Sequence, residues 1–436
     1  MQPQAVNPTD TPHSSTPLDA AELRRKLLEL GADDVGLVSI DDPALGTEAD
    51  EIRRAFPWVR SLVAIVVRMQ REAIRSPLRS LANLEFHHVG DEVNEIARSF
   101  STGLERRGRR ALNVTMGFPM EMDNFPGRLW AVSHKPIAQA AGLGRIGIHR
   151  NLIHPRFGNF ILLGTILLAD EVTETDREID FDPCLECKMC VAVCPTGAIK
   201  SDGGFDFGAC YTHNYREFMG GFGDWVEEVV ESKNRKDYRK RVHDNETASM
   251  WQSLSFGANY KAAYCLSVCP AGLEVIAPFE EDRKAFLRDV LDPLVEKEEA
   301  VYVIKDSDAE AHVKKRFPSK TVRTVGSSLR PRTVEGFLSG LPLVFQRGKA
   351  KDVQLRVHFR FSGAEQAEAT VGIERGTLVV ERGLQGTADL VVRADIDTWL
   401  GFLAGERSLL PALLRRRLRI QGDPRKLLKF GSCFAT

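Results

Sequence analysis

Four cysteines in the stretch DPCLECKMCVAVCPTGAIK, residues 182–200, constrain this chain more than any other feature. Their spacing is C-x2-C-x2-C-x3-C-P, and they are Cys184, Cys187, Cys190 and Cys194. In runs of this kind the first three thiolates bind one iron–sulfur cluster and the fourth binds another. A structural zinc site instead favours paired C-x2-C units. The run therefore predicts an iron–sulfur centre and a second set of cysteines further along the chain.

The segment YKAAYCLSVCPAG, residues 260–272, is similar to that second set, but Ala262 stands where a full run would have a cysteine. The usual crossover assigns four ligands to the first cluster: Cys184, Cys187, Cys190 and Cys269. Three remain for the second cluster: Cys194, Cys210 and Cys265. That cluster is then a three-iron cluster, or a four-iron cluster completed by His213 or a solvent molecule. The distant Cys433 is more simply interpreted as a small buried hydrophobe.

Length and composition limit the classes of protein to consider. A chain of 436 residues is longer than a domain with a single hydrophobic core usually is, so two or three domains are expected. The formal net charge of −1 means that the whole protein does not attract nucleic acid electrostatically, and no nucleic-acid partner is expected. The longest apolar runs are about half of the ~20 residues that span a bilayer, which argues against stable membrane insertion. Clustered cysteines suit metal binding in the reducing cytoplasm, where we expect the protein to be located.

The first part of the chain alternates between helical and strand patterns. Residues 1–17 are polar and proline-rich, which predicts a disordered tail, and residues 18–180 predict an α/β domain. Strand patterns occur at 33–40, 61–69, 111–115 and 159–169, and residues 91–107 have the apolar spacing of an amphipathic helix. Residues 181–279 then form a ferredoxin-like two-cluster module, and the charged residues 280–335 form a helical linker.

The last hundred residues predict a separate α+β domain over 336–436. The segment DVQLRVHFRF, residues 352–361, alternates strictly between apolar and polar side chains, as a half-buried strand does. Further strand patterns follow at 368–374, 377–381 and 388–394. A helix follows with apolar residues at helical spacing: Ile396, Trp399, Leu400 and Leu403. No motif for chemistry occurs in this domain.

Two further segments carry a resemblance to a known family. AGLGRIG and NLIHPRFGNFILLG, with their spacing to the two cysteine segments, resemble the core shared by epoxyqueuosine reductases and reductive dehalogenases over residues 18–279. The resemblance implies an α/β domain that binds base-off cobalamin and receives electrons from two clusters. It implies a corrinoid pocket that includes Arg156 and four glycines: Gly142, Gly144, Gly147 and Gly158. A nicotinamide site is a weaker alternative, because these glycines match a nucleotide loop only loosely.

The chain departs from that family at the proton donor. Epoxyqueuosine reductases have a catalytic Asp shortly before the AGLG segment, where this chain has Arg128. The nearest carboxylates are Asp123 and Glu121. Because a proton donor must cycle near neutral pH, the candidates for this role are Asp123, His134 and His149, with Lys135 as a further possibility.

The order of the strands, the segment ADLVVRADIDTWLGFLAGE at residues 388–406 and a strand–helix pair at the end of the chain carry a second resemblance. Over residues 336–434 they resemble the sterol-carrier-protein-2 fold, in which an apolar tunnel holds a lipid. The alternative is an ordinary packed core that serves dimerisation or docking. An arginine-rich edge, either solvated or in contact with a membrane surface, lies at residues 415–419.

These features together predict a cytoplasmic iron–sulfur oxidoreductase. An external electron donor (a ferredoxin, flavodoxin or reductase) would reduce the clusters, and these would pass electrons to a site, with cobalamin as the implied cofactor, that reduces a hydrophobic or lipid-like substrate. The alternative is a non-catalytic electron-transfer protein with a lipid-binding or docking domain.

Overall fold

The computed structural model of the chain describes residues 16–125, 127–184, 186–327 and 329–435. Most of the tail predicted at 1–17 lies outside these residues. Two units are distinguished. Unit 1 contains residues up to 123 together with 128–187 and 269–286, and unit 2 contains 124–127, 188–268 and 287–436. The cysteine-rich stretch predicted as one module at 181–279 is thus divided between the two units.

The elements are numbered along the chain. The strands are β1 (Asp34–Ser39), β2 (Ser61–Arg68), β3 (Ala111–Val114), β4 (Arg145–Ile146), β5 (Leu152–Ile153), β6 (Ile161–Leu168), β7 (Ala300–Ile304), β8 (Thr321–Val325), β9 (Gln354–Ser362), β10 (Ala367–Glu374), β11 (Thr377–Arg382), β12 (Leu390–Asp395) and β13 (Leu418–Gly422). The helices up to the second cysteine segment are α1 (Ala20–Glu29), α2 (Thr47–Ala55), α3 (Arg71–Arg75), α4 (Arg79–Glu105), α5 (His134–Ala140), α6 (Met189–Val193), α7 (Phe207–Asn214), α8 (Gly220–Glu231), α9 (Arg235–Arg241), α10 (Asp244–Phe256) and α11 (Tyr264–Ser267).

The remaining helices are α12 (Ala277–Glu281), α13 (Arg283–Phe286), α14 (Asp292–Val295), α15 (Asp308–Arg316), α16 (Val334–Val344), α17 (Ile396–Leu403), α18 (Leu409–Leu414) and α19 (Pro424–Gly431). Short 3₁₀ turns occur at Pro43–Leu45 and Met122–Asn124, and a π-helical turn at Leu287–Leu291. No helix among the described residues is long and apolar enough to span a bilayer.

Unit 1 is built on a four-stranded antiparallel sheet in the order β1-β2-β6-β3. The four strands lie where the sequence pattern predicts them. The long helix α4 packs on one face, where Gly164 of β6 leaves room for Val93. The short helix α5 packs on β1, β2 and β6, and its Ile137 shares a core with Ala64 and Val66. The sheet is therefore covered by helices, and β2 is buried except at its last residue.

Unit 2 contains a β-α-β element where the sequence suggested a helical linker. Strands β7 and β8 pair in parallel, with α15 between them in sequence. Val301, Val303 and Phe317 form a small buried core there. The prediction of a linker at 280–335 is wrong in this part, because the short apolar run AVYVI is a buried strand between charged segments.

The C-terminal part of unit 2 is a five-stranded sheet in the order β11-β10-β9-β12-β13. Strands β9 and β12 pair in parallel, and the other neighbours pair antiparallel. The alternating residues of β9 and the residue just before it are all buried: Val353, Leu355, Val357, Phe359 and Phe361. Aromatic rings fill the space beside the strand, with Phe359 5.4 Å from both Phe337 of α16 and Trp399 of α17. The strands and helices predicted here match the observed elements.

Candidate iron–sulfur site

The first cysteine run contains two non-glycine residues with left-handed backbone. Glu186 and Lys188 have φ of 52° and 55°. Helix α6 begins directly after Lys188 and contains Cys190, and Cys194 caps it before Pro195. Residues other than glycine adopt the left-handed conformation only at an energetic cost. The two left-handed residues turn the backbone sharply between the closely spaced cysteines.

The second cysteine segment repeats this local geometry. Ala263 is left-handed, with φ of 58°, and α11 begins directly after it with Cys265 as its second residue, the place that Cys190 has in α6. The sequence order then places Ala262 at the position that Cys187 has in the first run. Ala262 is buried, and its N–H donates to Asn214 Oδ1 at 3.1 Å. Helices α6 and α11 contact each other. The second segment thus has the backbone of the motif but a methyl group in place of one thiolate.

Cys210 and Cys265 both lie near Tyr215. Burial raises the pKa of Tyr215 well above its usual value, and the two thiolates and neighbouring tyrosines raise it further. The Tyr215 ring packs against aromatic neighbours at centroid distances of 4.9 to 5.7 Å: Tyr211, Phe218 and Tyr260. Two of the three cysteines left for the second cluster therefore lie beside the same group of aromatic rings.

His213, one turn after Cys210 on α7, is buried. Its Nδ1 accepts the backbone N–H of Tyr302 at 3.3 Å, so the neutral ring carries its proton on Nε2. Burial lowers the pKa of His213 to about 4, which keeps the ring neutral near pH 7. Nε2 has no hydrogen-bond partner among the described residues. A ring in this tautomer offers an N–H to sulfur but no lone pair to iron, which disfavours His213 as an iron ligand.

The other cysteines are placed as follows. Cys269 is buried and packs with Ile153 and Ala271 of unit 1. Cys433 is fully buried in the core of the C-terminal domain, where its thiol donates to the Lys429 carbonyl at 3.3 Å. No disulfide joins any of the eight cysteines, all of which are described. Among the described residues, no three His, Cys, Asp or Glu side chains gather closely enough to bind a single metal ion.

The four glycines of the predicted corrinoid pocket contact the protein's own chain. A Cβ at Gly144 would overlap the Ile153 carbonyl, and one at Gly158 would overlap the Ala271 carbonyl. Both residues also have positive φ, at 147° and 65°. Gly142 and Gly147 are likewise closed off, by Arg177 and Ile153. These glycines serve close packing within unit 1 and form no open cradle for a macrocycle.

The histidine candidates for proton transfer are already hydrogen-bonded. His134 Nε2 donates to the Thr115 carbonyl at 2.9 Å, and Nδ1 accepts from the Thr165 hydroxyl at 2.8 Å. His149 Nδ1 accepts the Asn151 N–H at 3.1 Å, and Nε2 lies 3.2 Å from the Asn159 amide. Burial lowers the pKa of both rings, that of His149 to about 4. Both histidines are therefore neutral near pH 7, and their hydrogen bonds hold neighbouring segments of the chain in place.

The remaining candidates lie near the start of α5. Asp123 is exposed on its 3₁₀ turn, as is Glu121 just before it. Lys135 donates to the Arg150 carbonyl and to Asn151 Oδ1. Arg128 forms a two-pronged ion pair with Glu48, at 2.6 and 3.1 Å.

Glu48 was not predicted from the sequence. It is buried, and its Oε1 also accepts the Ser133 N–H at 2.8 Å, just before the first turn of α5. A carboxylate is favourable at a helix N-terminus, which explains its place there. No local pattern in α2 distinguishes Glu48 from an ordinary surface glutamate, because its partners come from distant segments.

Comparison with known proteins supports three parts of this description. Residues 177–200 match the model of the 4Fe-4S binding domain, and residues 346–435 match that of the SCP-2 sterol transfer family. The epoxyqueuosine reductase of Escherichia coli (strain K12) is 26% identical over 238 residues, covering 47% of this chain and 60% of that protein. The enzyme of Salmonella typhimurium is 27% identical over the same length, covering 47% and 59%.

The chain thus spans about three-fifths of the length of these relatives. Among solved structures, a catabolic reductive dehalogenase aligns with a TM-score of 0.38 and 18% identity, covering 70% of this chain and 38% of its own. The chain is therefore similar to epoxyqueuosine reductases over about half its length, with a 4Fe-4S segment at 177–200 and an SCP-2 domain at its C-terminal end.

Proposed function

We propose that this chain is an iron–sulfur oxidoreductase whose clusters carry electrons from an external donor to a reduction site in the α/β unit. The observation that carries the proposal is the repeated turn and helix at α6 and α11, each following a left-handed residue and each leading to a Cys-Pro pair. Such clusters, when bound, accept and release single electrons. Electron supply is therefore the chemistry that these residues support best.

The proposed ligands of the first, four-iron cluster are Cys184, Cys187, Cys190 and Cys269. For the second cluster the proposed ligands are Cys194, Cys210 and Cys265. Since His213 presents an N–H, we assign it as a hydrogen-bond donor beside that cluster. The second cluster is accordingly a three-iron cluster, or a four-iron cluster whose fourth ligand is solvent.

Cobalamin enters the proposal through the family resemblance, but the residues predicted to cradle it do not fit that role. The four glycines are closed off by the protein's own backbone and side chains, so no step is assigned to a corrinoid. Titration of the anaerobic full-length protein with cobalamin, followed by its absorption spectrum, tests this cofactor directly. Binding would favour a corrinoid reductase, and failure to bind would favour the non-catalytic electron-transfer alternative.

Proton delivery is assigned by exclusion among the four candidates. His134 and His149 are neutral and hydrogen-bonded on both nitrogens, so neither offers a proton near pH 7. Asp123, which is exposed, and Lys135, which donates to two oxygens, are the remaining candidates.

The substrate is proposed to be apolar, and the SCP-2 domain is proposed to bind it. Trp399 supports this role, because its buried Nε1–H has no hydrogen-bond partner among the described residues. A buried unpaired donor is costly, and the polar end of a bound lipid would satisfy it.

The cluster assignment is tested by iron and sulfide analysis with electron paramagnetic resonance of the anaerobic protein. We expect Cys187→Ala to remove the four-iron signal, Cys210→Ala to remove the second signal, and the matched Cys433→Ala variant to leave both unchanged. Wild-type protein that binds zinc and no iron after anaerobic reconstitution would refute the proposed function.

A further inference from the structure

Arg75, the last residue of α3, places its guanidinium group between two aromatic rings. Its central carbon is 5.3 Å from the ring centroids of both Phe160 and Phe286. Nε and Nη2 are fully buried and have no hydrogen-bond partner among the described residues. A buried cation is expensive unless a negative group and hydrogen-bond acceptors compensate it. This group requires a partner that the protein's side chains do not supply.

The charges around Arg75 indicate where that partner lies. Burial lowers the pKa of Arg75, and Arg71 lowers it further, whereas Glu72 and Cys269 raise it. Glu72 is exposed on the same short helix, so water screens its charge. Cys269 is buried, and it is an assigned ligand of the first cluster.

The backbone holds Cys269 close to the segment that carries Phe160. Gly158 lies so close to the Ala271 carbonyl that a Cβ at this position would overlap it. A Cβ at Gly272 would likewise overlap the backbone of Gly158. Phe160 lies two residues after Gly158, and Cys269 lies two residues before Ala271. Phe160, whose ring lies beside Arg75, and Cys269, whose charge acts on Arg75, thus belong to two tightly packed segments of unit 1.

We propose that Arg75 is the counter-cation of the first cluster, its unpaired Nε and Nη2 donating N–H bonds to the inorganic sulfides of that cluster. This inference rests on the proposed function. A thiolate-bound cluster is anionic, and it becomes more negative by one charge when the external donor reduces it. A buried cation therefore stabilises the reduced form more than the oxidised form and raises the reduction potential. Arg75 is a positioning residue that acts on the cluster.

The test is a redox titration of the anaerobic full-length protein, monitored by electron paramagnetic resonance. The first-cluster signal is defined as the one that Cys269→Ala removes. We expect Arg75→Gln to lower the ratio of reduced to oxidised cluster at least tenfold at a fixed potential, equivalent to 59 mV for a one-electron couple. Arg75→Lys keeps the charge but loses the planar fork, and should give a smaller decrease.

Arg71→Gln is the matched control, because it removes one exposed arginine charge from the same helix. We expect it to change the ratio less than threefold. Equal potentials for Arg75→Gln and Arg71→Gln, at equal iron content, would overturn the proposal. If Arg75→Gln fails to retain its cluster, Arg75→Lys decides, and an unshifted potential there overturns it. If Cys269→Ala removes neither iron–sulfur signal, the ligand assignment itself is overturned, and the Arg75 proposal with it.

Discussion

Ala262 is the position at which the second cysteine segment departs from the first. The residues around it have the geometry of the complete motif, with a left-handed Ala263 and the short helix α11. Its side chain is buried next to Asn214 on α7, the helix that carries Cys210. A thiol at this position would therefore be delivered by a backbone that already has the required turn.

We predict that Ala262→Cys completes the second cluster. If the wild-type second cluster has three irons, iron content after anaerobic reconstitution should rise to about eight per chain, the number in two four-iron clusters. If it already has four irons with a solvent ligand, iron content should stay the same, and the signal of the second cluster should change as a thiolate replaces solvent. A three-iron signal, where the wild-type protein has one, should disappear. The control is Ala309→Cys, which adds a buried thiol in the core of the β-α-β element. A second-cluster signal that is the same in Ala262→Cys and Ala309→Cys would contradict the prediction.

Single residues were predictable from the sequence where the chemistry is local. The spacing of the first cysteine run predicted the segment that matches the 4Fe-4S model, because a cluster takes three thiolates from one short loop. Glu48 and the proposed role of Arg75 were not identified, because both depend on contacts with segments distant in sequence. The glycines at 142–158 were predicted to hold a cofactor, and the protein's own chain lies where their Cβ atoms would be, a contact that no local pattern reveals. Since a valine at Gly144 would clash with the Ile153 carbonyl, Gly144→Val tests folding and not cofactor binding.

At the scale of elements, apolar patterns predicted strands and helices well where one face is buried. The four strands of unit 1 and the sheet of the C-terminal domain follow those patterns. Helix α4 begins at Arg79, a dozen residues before the predicted segment at 91–107, because its first turns expose Leu81 and Leu84 and weaken the apolar periodicity. The β-α-β element was missed because its strands are five residues long and lie among charged residues.

The hairpin of β4 and β5 has a pH-sensitive loop. His149 accepts the Asn151 N–H within this loop, and Lys135 on α5 donates to the Arg150 carbonyl. Burial, with a smaller contribution from Lys135, lowers the pKa of His149 from 6.5 to about 4. The unfolded chain therefore binds a proton at higher pH than the folded chain does. Stability from this group is complete above pH 6.5 and is lost as pH falls toward 4.

We predict that the hairpin loses up to about 3 kcal/mol of local stability over this pH range. Hydrogen-exchange protection factors of residues 145–153, corrected for intrinsic exchange rates, measure the loss. His149→Gln retains an acceptor without a titrating ring, so its protection should depend less on pH. Parallel pH profiles for the wild-type protein and this variant would refute the assignment.

At the scale of the whole molecule, the domain types were predictable from the sequence but their boundaries were not. The comparisons support a 4Fe-4S segment and an SCP-2 domain where the motifs indicated them. The described chain instead divides near residues 188 and 269, within the cysteine-rich region. Periodicity reports the face that an element buries and contains no information about which distant element covers it. For this reason local patterns identified the parts but not their grouping.

The substrate proposal depends on whether the C-terminal domain admits a lipid between its sheet and its helices. Aromatic rings occupy that space, and Leu400 and Leu403 of α17 pack against the same core. A ligand must therefore lie among these side chains or displace them. The unpaired Trp399 indole N–H gives such a ligand a place for its polar end.

We predict that the full-length protein binds a fluorescent fatty acid and that Leu400→Arg weakens binding more than tenfold by placing a charge at the edge of the apolar core. Leu428→Arg, on the exposed face of α19, is the matched control and should bind normally. Trp399→Phe keeps the ring packing but removes the donor, so we expect weaker binding of the fatty acid and unchanged binding of an alkane of equal length. If the folded wild-type protein takes up no lipid in fluorescence titration or native mass spectrometry, the domain is a docking module and the substrate class proposed here is wrong.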